Sequence, residues 1–276
     1  MIPLPLSSLL LTALPVGVFV WLFRTALADP VLREGALAGG IAGAFAILPL
    51  KFVFYPALQA ALGIDLRSLL ADSEEFWMRF AVAVILVGGL EETMKLGAAI
   101  AGAGWMGSLW RSTAIFLASL AAGLGFSAAE SIDYISIFGA DVLLTRIPLS
   151  TTGHVLFSGF AGWAAALALC KRTKTGESAA TWRGYVQFLG GLLGAAVLHG
   201  SFNMIAMRTV ASTSIPLLAA MLVFGAALLR EGWVRVLVLD RAERGSDEPC
   251  ALCGAVPADS RGRFCAACGA RRPLVR

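Results

Sequence analysis

Charge is scarce in this chain. Asp, Glu, Lys and Arg make up 14% of its 276 residues, against about a quarter in a soluble domain. With 58% apolar residues and a mean hydropathy of +0.79, the chain belongs in a bilayer. Histidine is scarcer still, at two residues. There is no HExxH, so the signature of helix-borne zinc proteases is missing. No internal repeat is apparent, which weighs against the repeat-built transporters. A basic leader region is missing too, because the first charged side chain is Arg24. No convincing small-residue cleavage site follows, so the first hydrophobic stretch is expected to be a retained span. The net charge of +4 sits mostly in loops and the tail. No base-reading element is visible, so nucleic acid is not an expected partner.

What is present is a series of long apolar stretches. A span needs about 20 apolar residues. That rule predicts helices near 6–27, 36–61, 79–103, 112–137, 149–170, 184–208 and 212–236, seven in all. Pro49, Lys51 and Pro56 interrupt the second, which predicts a kink or a partly interfacial segment. The amphipathic LRSLLADSEEFWMR between the second and third suits the membrane surface. Glycine is abundant, at 30 residues, and the four-residue spacings of Gly39 with Gly43 and Gly190 with Gly194 are candidates for close helix packing. Lys171, Arg172, Lys174 and Arg183 follow the fifth span, and Arg230, Arg235, Arg241 and Arg244 lie around the end of the seventh. The positive-inside rule puts both in the cytoplasm, with the N-terminus outside. The expected fold is all-α: a polytopic transmembrane bundle over 1–236, a linker at 237–247 and a small domain at 248–276.

That last domain is polar, Arg-rich and carries four of the five cysteines. Cys250 and Cys253 form one CxxC knuckle, and Cys265 and Cys268 form a second about a dozen residues on, each followed by Gly. This is the spacing of a four-thiolate zinc ribbon. So short a segment has little core of its own, so structural zinc would hold it folded. A cytoplasmic location argues against disulfides. The ribbon could recruit a cytosolic protein partner, and its arginines suit an anionic lipid surface.

The apolar spans carry a polar constellation. Glu91 and Glu92 lie four and three residues before Lys95, so the lysine can pair with either acid. Phe126, Glu130 and Tyr134 form a row at four-residue steps, His154 lies early in the fifth span, and His199 and Asn203 are four apart. Each ionisable group costs about 2.5–3.5 kcal/mol at mid-span on insertion scales, so several together point to a polar site between helices. The residue types suit amide hydrolysis. A carboxylate can deprotonate a water, a histidine can relay the proton or stabilise an oxyanion, and an Asn amide is a fixed donor. Two His plus one Glu are equally an open zinc ligand set, which leaves a catalytic metal open.

The order EExxK, FxxxExxxY, H, HxxxN resembles the PrsW-type intramembrane protease family, distantly related to the CAAX prenyl endopeptidases among the glutamate-type membrane proteases. The resemblance implies that Glu91 and Glu92 are the catalytic acid pair, that Lys95 sets their charge state, and that His199 and Asn203 bind the oxyanion. Glu130 stands where the CAAX-type relatives carry a histidine, a role His154 could take over. The resemblance also implies a membrane-protein substrate of the anti-sigma-factor kind, and a bacterial cell membrane is expected; it permits a metal-free glutamate mechanism, which is favoured over a metal-dependent one. Two other readings use the same residues. One is a proton- or cation-coupled transporter, and the other is a non-catalytic scaffold acting through the ribbon.

Overall fold

In the computed structural model the chain is described at residues 6–63, 76–108, 111–170, 182–206 and 211–244. Every regular element among them is helical. The principal helices are α1 (Leu6–Leu22), α2 (Pro30–Phe45), α3 (Tyr55–Leu62), α4 (Phe76–Ala81), α5 (Gly89–Trp105), α6 (Ser112–Phe138), α7 (Thr152–Cys170), α8 (Trp182–Ala206) and α9 (Ala211–Arg244). Five stretches are long and apolar enough to cross a membrane: Pro30–Ala61, Ser112–Phe138, Arg146–Leu169, Gly184–Ala206 and Ile215–Asp240. Residues 76–105, where a third span is predicted, carry Arg79, Glu91, Glu92 and Lys95 and are not among the five.

Local chemistry explains several boundaries. Asp29 caps α2 by accepting the Val31 N–H at 3.0 Å, and Pro30 fits the first helical turn, where its missing N–H is not needed. The interruption expected at Pro49 takes the form of a π-helical segment, Leu50–Phe54, through which the helix continues into α3. Two further π-helical segments, Val82–Gly88 and Arg146–Thr151, lead into α5 and α7. Such widened turns are frequent at functional sites.

At the centre is α6, with 83% of its apolar window buried against 17% for Ile215–Asp240 in α9. Its Ala-rich faces let neighbours approach to backbone contact. A Cβ placed on Gly43 would lie 2.3 Å from the Ala122 carbonyl, and one on Gly125 would lie 2.0 Å from that of Gly40. The spacing of Gly39 and Gly43 is therefore a close α2–α6 seam. On α8 the tight positions are Gly191 and Gly194, against Ala164 and Phe160, while Gly190 meets nothing within 4 Å. Gly200 approaches Val84 and Gly88 approaches Ala196, so the Val82–Gly88 segment runs directly against α8. Gly123 lets α6 pass close to the His154 carbonyl at the start of α7.

One end of the bundle is closed by charge. Arg111, just before α6, donates from Nη1 to Asp29 at 2.7 Å and from Nε and Nη2 to Asp240 at 3.3 Å. Ser112 Oγ donates to the Val236 carbonyl at 3.2 Å in the same corner. Residues 237–244, expected as the start of a linker, continue α9 as helix, with Asp240 buried in the clamp. The zinc ribbon predicted over 248–276 lies outside the described residues, and so do all four of its expected ligands, Cys250, Cys253, Cys265 and Cys268.

Candidate active site

The expected polar residues converge in the half of the bundle away from the Arg111 clamp. Glu130 stands eighteen residues beyond Ser112, about 27 Å along α6 at 1.5 Å per residue. His154 is in the first turn of α7, Glu91 and Glu92 are in the first turn of α5, and His199 is late in α8. Glu91, Glu92, Lys95, His154 and His199 are all buried.

Glu92 is fully engaged. Its Oε1 accepts from Lys95 Nζ at 2.6 Å and from His199 Nδ1 at 2.8 Å, and its Oε2 accepts from Ser158 Oγ at 3.2 Å. Of the two acids the sequence offered to Lys95, the closer partner is thus Glu92, with Glu91 Oε2 at 3.9 Å. Lys95 Nζ also lies 3.0 Å from His154 Nδ1 and 4.6 Å from the centroid of the Phe126 ring. An ammonium only donates, so His154 accepts at Nδ1. Its Nε2 is then the N–H, which donates to Glu130 Oε2 at 3.0 Å.

Glu130 is further paired with Arg146, whose guanidinium carbon sits 3.7 Å from the Tyr134 ring centroid. By sequence Arg146 falls in the loop between the spans predicted at 112–137 and 149–170. Its burial beside Glu130 makes it the counter-ion of that acid. The four-residue row Phe126, Glu130, Tyr134 forms one continuous face: Phe126 beneath Lys95 and His154, Glu130 between His154 and Arg146, Tyr134 against Arg146.

Glu91 differs from Glu92. Its Oε1 accepts from the Tyr55 hydroxyl at 3.1 Å, while its buried Oε2 has no hydrogen-bond partner among the described residues. That oxygen faces His199 Nε2 at 3.7 Å. The two imidazoles meet edge to face with centroids 5.1 Å apart, and Phe157 stacks on His199 at 5.3 Å. Asn203, one turn beyond His199, is half-buried and makes no side-chain hydrogen bond among the described residues. Ser158 and Tyr55 were not picked out from the sequence. Hydroxyls give no periodic signal, and both contacts span long stretches of chain.

Donor atoms of Glu91, His154 and His199 lie within 4.8 Å of one another, a group able to hold a metal ion. The chemistry of the set agrees, being two imidazoles and a carboxylate. Glu92 holds His199 at Nδ1 and Glu130 holds His154 at Nε2, as outer carboxylates do around metal-binding histidines.

Comparison with curated proteins and with solved structures finds no match. A family model described as PrsW family intramembrane metalloprotease matches residues 32–229, which include every helix that contributes to the buried cluster. An apolar helical bundle, buried acids and imidazoles in reach of one another, and a family match over most of its length lead to one conclusion: the chain belongs to the PrsW family of intramembrane proteases.

Proposed function

We propose that the protein hydrolyses a peptide bond of a membrane-protein substrate with a water activated by Glu91. The observation that carries this reading is the contrast between the two acids. Glu92 has both oxygens committed, whereas Glu91 keeps one buried oxygen unpartnered. A buried acceptor without a donor is costly, so the unpaired oxygen is where a polar ligand such as water would gain most by binding. Water held there gives its proton to Glu91 as its oxygen bonds to the scissile carbonyl carbon. The carbonyl electrons move onto oxygen, where the Asn203 amide is a candidate donor on the same helix as His199. His199 Nε2, at 3.7 Å from Glu91, suits relay of that proton to the leaving nitrogen. The carbonyl then re-forms as the C–N bond breaks, giving a carboxylic acid and an amine, which part as carboxylate and ammonium once the acid's proton is passed on. Glu92 and Lys95 hold His199 and His154 in place, and Arg146 balances Glu130.

A metal-dependent variant has its own support in the grouped donors of Glu91, His154 and His199. These residues would hold the ion, and a bound zinc would acidify its water to a pKa of about 7 and polarise the carbonyl. We favour the metal-free reading because Lys95 Nζ lies 3.0 Å from His154 Nδ1, so a fixed cation already stands beside this donor set.

Seven crossings are proposed with it. The meeting of Asp29, Arg111 and Asp240 supports this. If they share one membrane face, an even number of crossings separates Asp29 from Arg111. Pro30–Ala61 supplies one, and residues 76–105 then supply the return. The same proposal extends to a cytoplasmic tail, to an anti-sigma-factor-like substrate, and to a docking module built on zinc held by Cys250, Cys253, Cys265 and Cys268. The CxxC spacing alone supports that zinc site.

The test compares N-termini of membrane proteins in cells carrying wild type, Glu91→Gln or Glu92→Gln at matched protein levels. New termini near substrate spans that vanish in Glu91→Gln are expected. Identical termini in wild type and Glu91→Gln overturn the reading.

A further inference from the structure

Tyr55 lies outside the motif order that pointed to the active site, yet it makes the hydrogen bond to Glu91. It follows directly on the π-helical segment Leu50–Phe54. Glu91 follows Val82–Gly88 by three residues, and His154 follows Arg146–Thr151 by three. Three polar residues that meet at one place thus each come just after a widened turn, on three separate helices.

The Leu50–Phe54 turn divides its own surface. Phe52, Val53 and Phe54 are exposed on the apolar exterior. Lys51 and Tyr55, four apart, turn inward to Asp133 and Glu91. The Tyr55 ring packs on the cluster of Ala46, Ile47, Leu50 and Phe126, beside Leu90 and Met94. Packing therefore fixes the ring, and the hydroxyl is left with one polar task.

That task has a defined result. A carboxyl group turns easily about its terminal torsion, so nothing intrinsic separates its two oxygens. Tyr55 occupies Oε1 at 3.1 Å, and Oε2 is the oxygen left toward His199 Nε2. We propose that Tyr55 is a positioning residue for the hydrolysis, locking Glu91 so that Oε2 alone receives the water. This rests on Glu91 being the water-activating acid.

Tyr55→Phe keeps the packed ring and removes only the hydroxyl, and Tyr134→Phe is the control. Difference infrared spectra of the full-length protein in detergent, taken against Glu91→Gln, isolate the Glu91 carboxyl band without any substrate. The band is expected to shift in Tyr55→Phe and stay in place in Tyr134→Phe. An unshifted band in Tyr55→Phe overturns the inference whether or not the protein cleaves anything. With a cleaved substrate from the N-terminal comparison, kcat should fall about tenfold with KM unchanged, as for the loss of one charge-assisted hydrogen bond. A shifted band with unchanged kcat also overturns it. Cleavage that survives Glu91→Gln sinks the Glu91 assignment instead, and the infrared result then stands as a statement about the pair alone.

Discussion

Arg111 and Asp240 are 129 residues apart in the chain, yet two guanidinium nitrogens reach the two oxygens of the carboxylate at 3.3 Å each. This two-point contact fixes the last turn of α9 to the start of α6. Both partners are buried, and without Asp240 the guanidinium keeps Asp29 but loses two charge-assisted hydrogen bonds. Asp240→Asn is expected to lower unfolding stability by about 1.5–3 kcal/mol, read as a lower melting temperature in detergent. An unchanged melting temperature would show that the clamp contributes nothing to stability.

Asp29, on the other side of Arg111, gives a pH signature. Burial pushes its carboxyl up, but the Arg111 guanidinium and the backbone N–H groups of Val31 and Leu32 outweigh that and hold it below its ordinary value of 3.8. A depressed carboxyl stabilises the fold fully above its unfolded pKa, and this is lost as pH falls through the folded one. The melting-temperature gap between wild type and Asp29→Asn should therefore be steady above about pH 5 and close as the pH drops below about 4. A gap independent of pH would contradict the assignment.

Glu91→Gln and Glu92→Gln should separate activity from stability. Glu91→Gln is expected to abolish cleavage with little loss of stability, because among the described residues Glu91 makes one hydrogen bond, to Tyr55, and Lys95 keeps its closer partner Glu92. Glu92→Gln leaves Lys95 buried without its 2.6 Å carboxylate partner, so destabilisation of about 3–5 kcal/mol is expected. Thermal unfolding beside the cleavage assay checks both. Equal loss of stability in the two variants would remove the distinction between the acids.

Metal content tests the tail and the membrane site together. Elemental analysis of wild type should find about one zinc per chain, as a four-thiolate site requires. The zinc should be lost when Cys250→Ser and Cys253→Ser are combined, and equally when Cys265→Ser and Cys268→Ser are. Metal that persists in both double variants and disappears with His154→Ala would favour the metal-dependent reading of the membrane site.

The close helix seams make an independent packing prediction. Gly43→Val places its Cβ 2.3 Å from a backbone carbonyl, which no rotamer relieves, whereas Gly190→Ala meets nothing within 4 Å. Yield of folded protein by size-exclusion chromatography should collapse for the first and hold for the second.

Much of the site could be read from the sequence because charge inside an apolar stretch is conspicuous. Glu91, Glu92, Glu130, His154 and His199 were found that way, and they meet. What could not be read was which partner each would take. Nothing local ties Arg146 to Glu130, and the Tyr55 bond to Glu91 crosses 36 positions, so neither contact leaves a mark in the sequence. The continuation of α9 to Arg244 was hidden for the same reason: Asp240 reads as a polar linker residue until Arg111 is set beside it. The π-helical turns leave no periodic trace, since each differs from an ordinary helix by a single residue.

That single residue is taken up where it stands. Each position advances an α-helix by about 100°, so one residue lost from unbroken winding turns everything beyond it, whereas a widened turn absorbs one extra residue and keeps Glu91 and Glu92 toward His199, on whose helix the Val82–Gly88 segment already abuts. The reactive face thus has one residue of slack in chain length at three places. In a deletion scan of the three segments, a single loss that restores ordinary winding should keep the face in phase, and a second loss should turn it away and abolish cleavage.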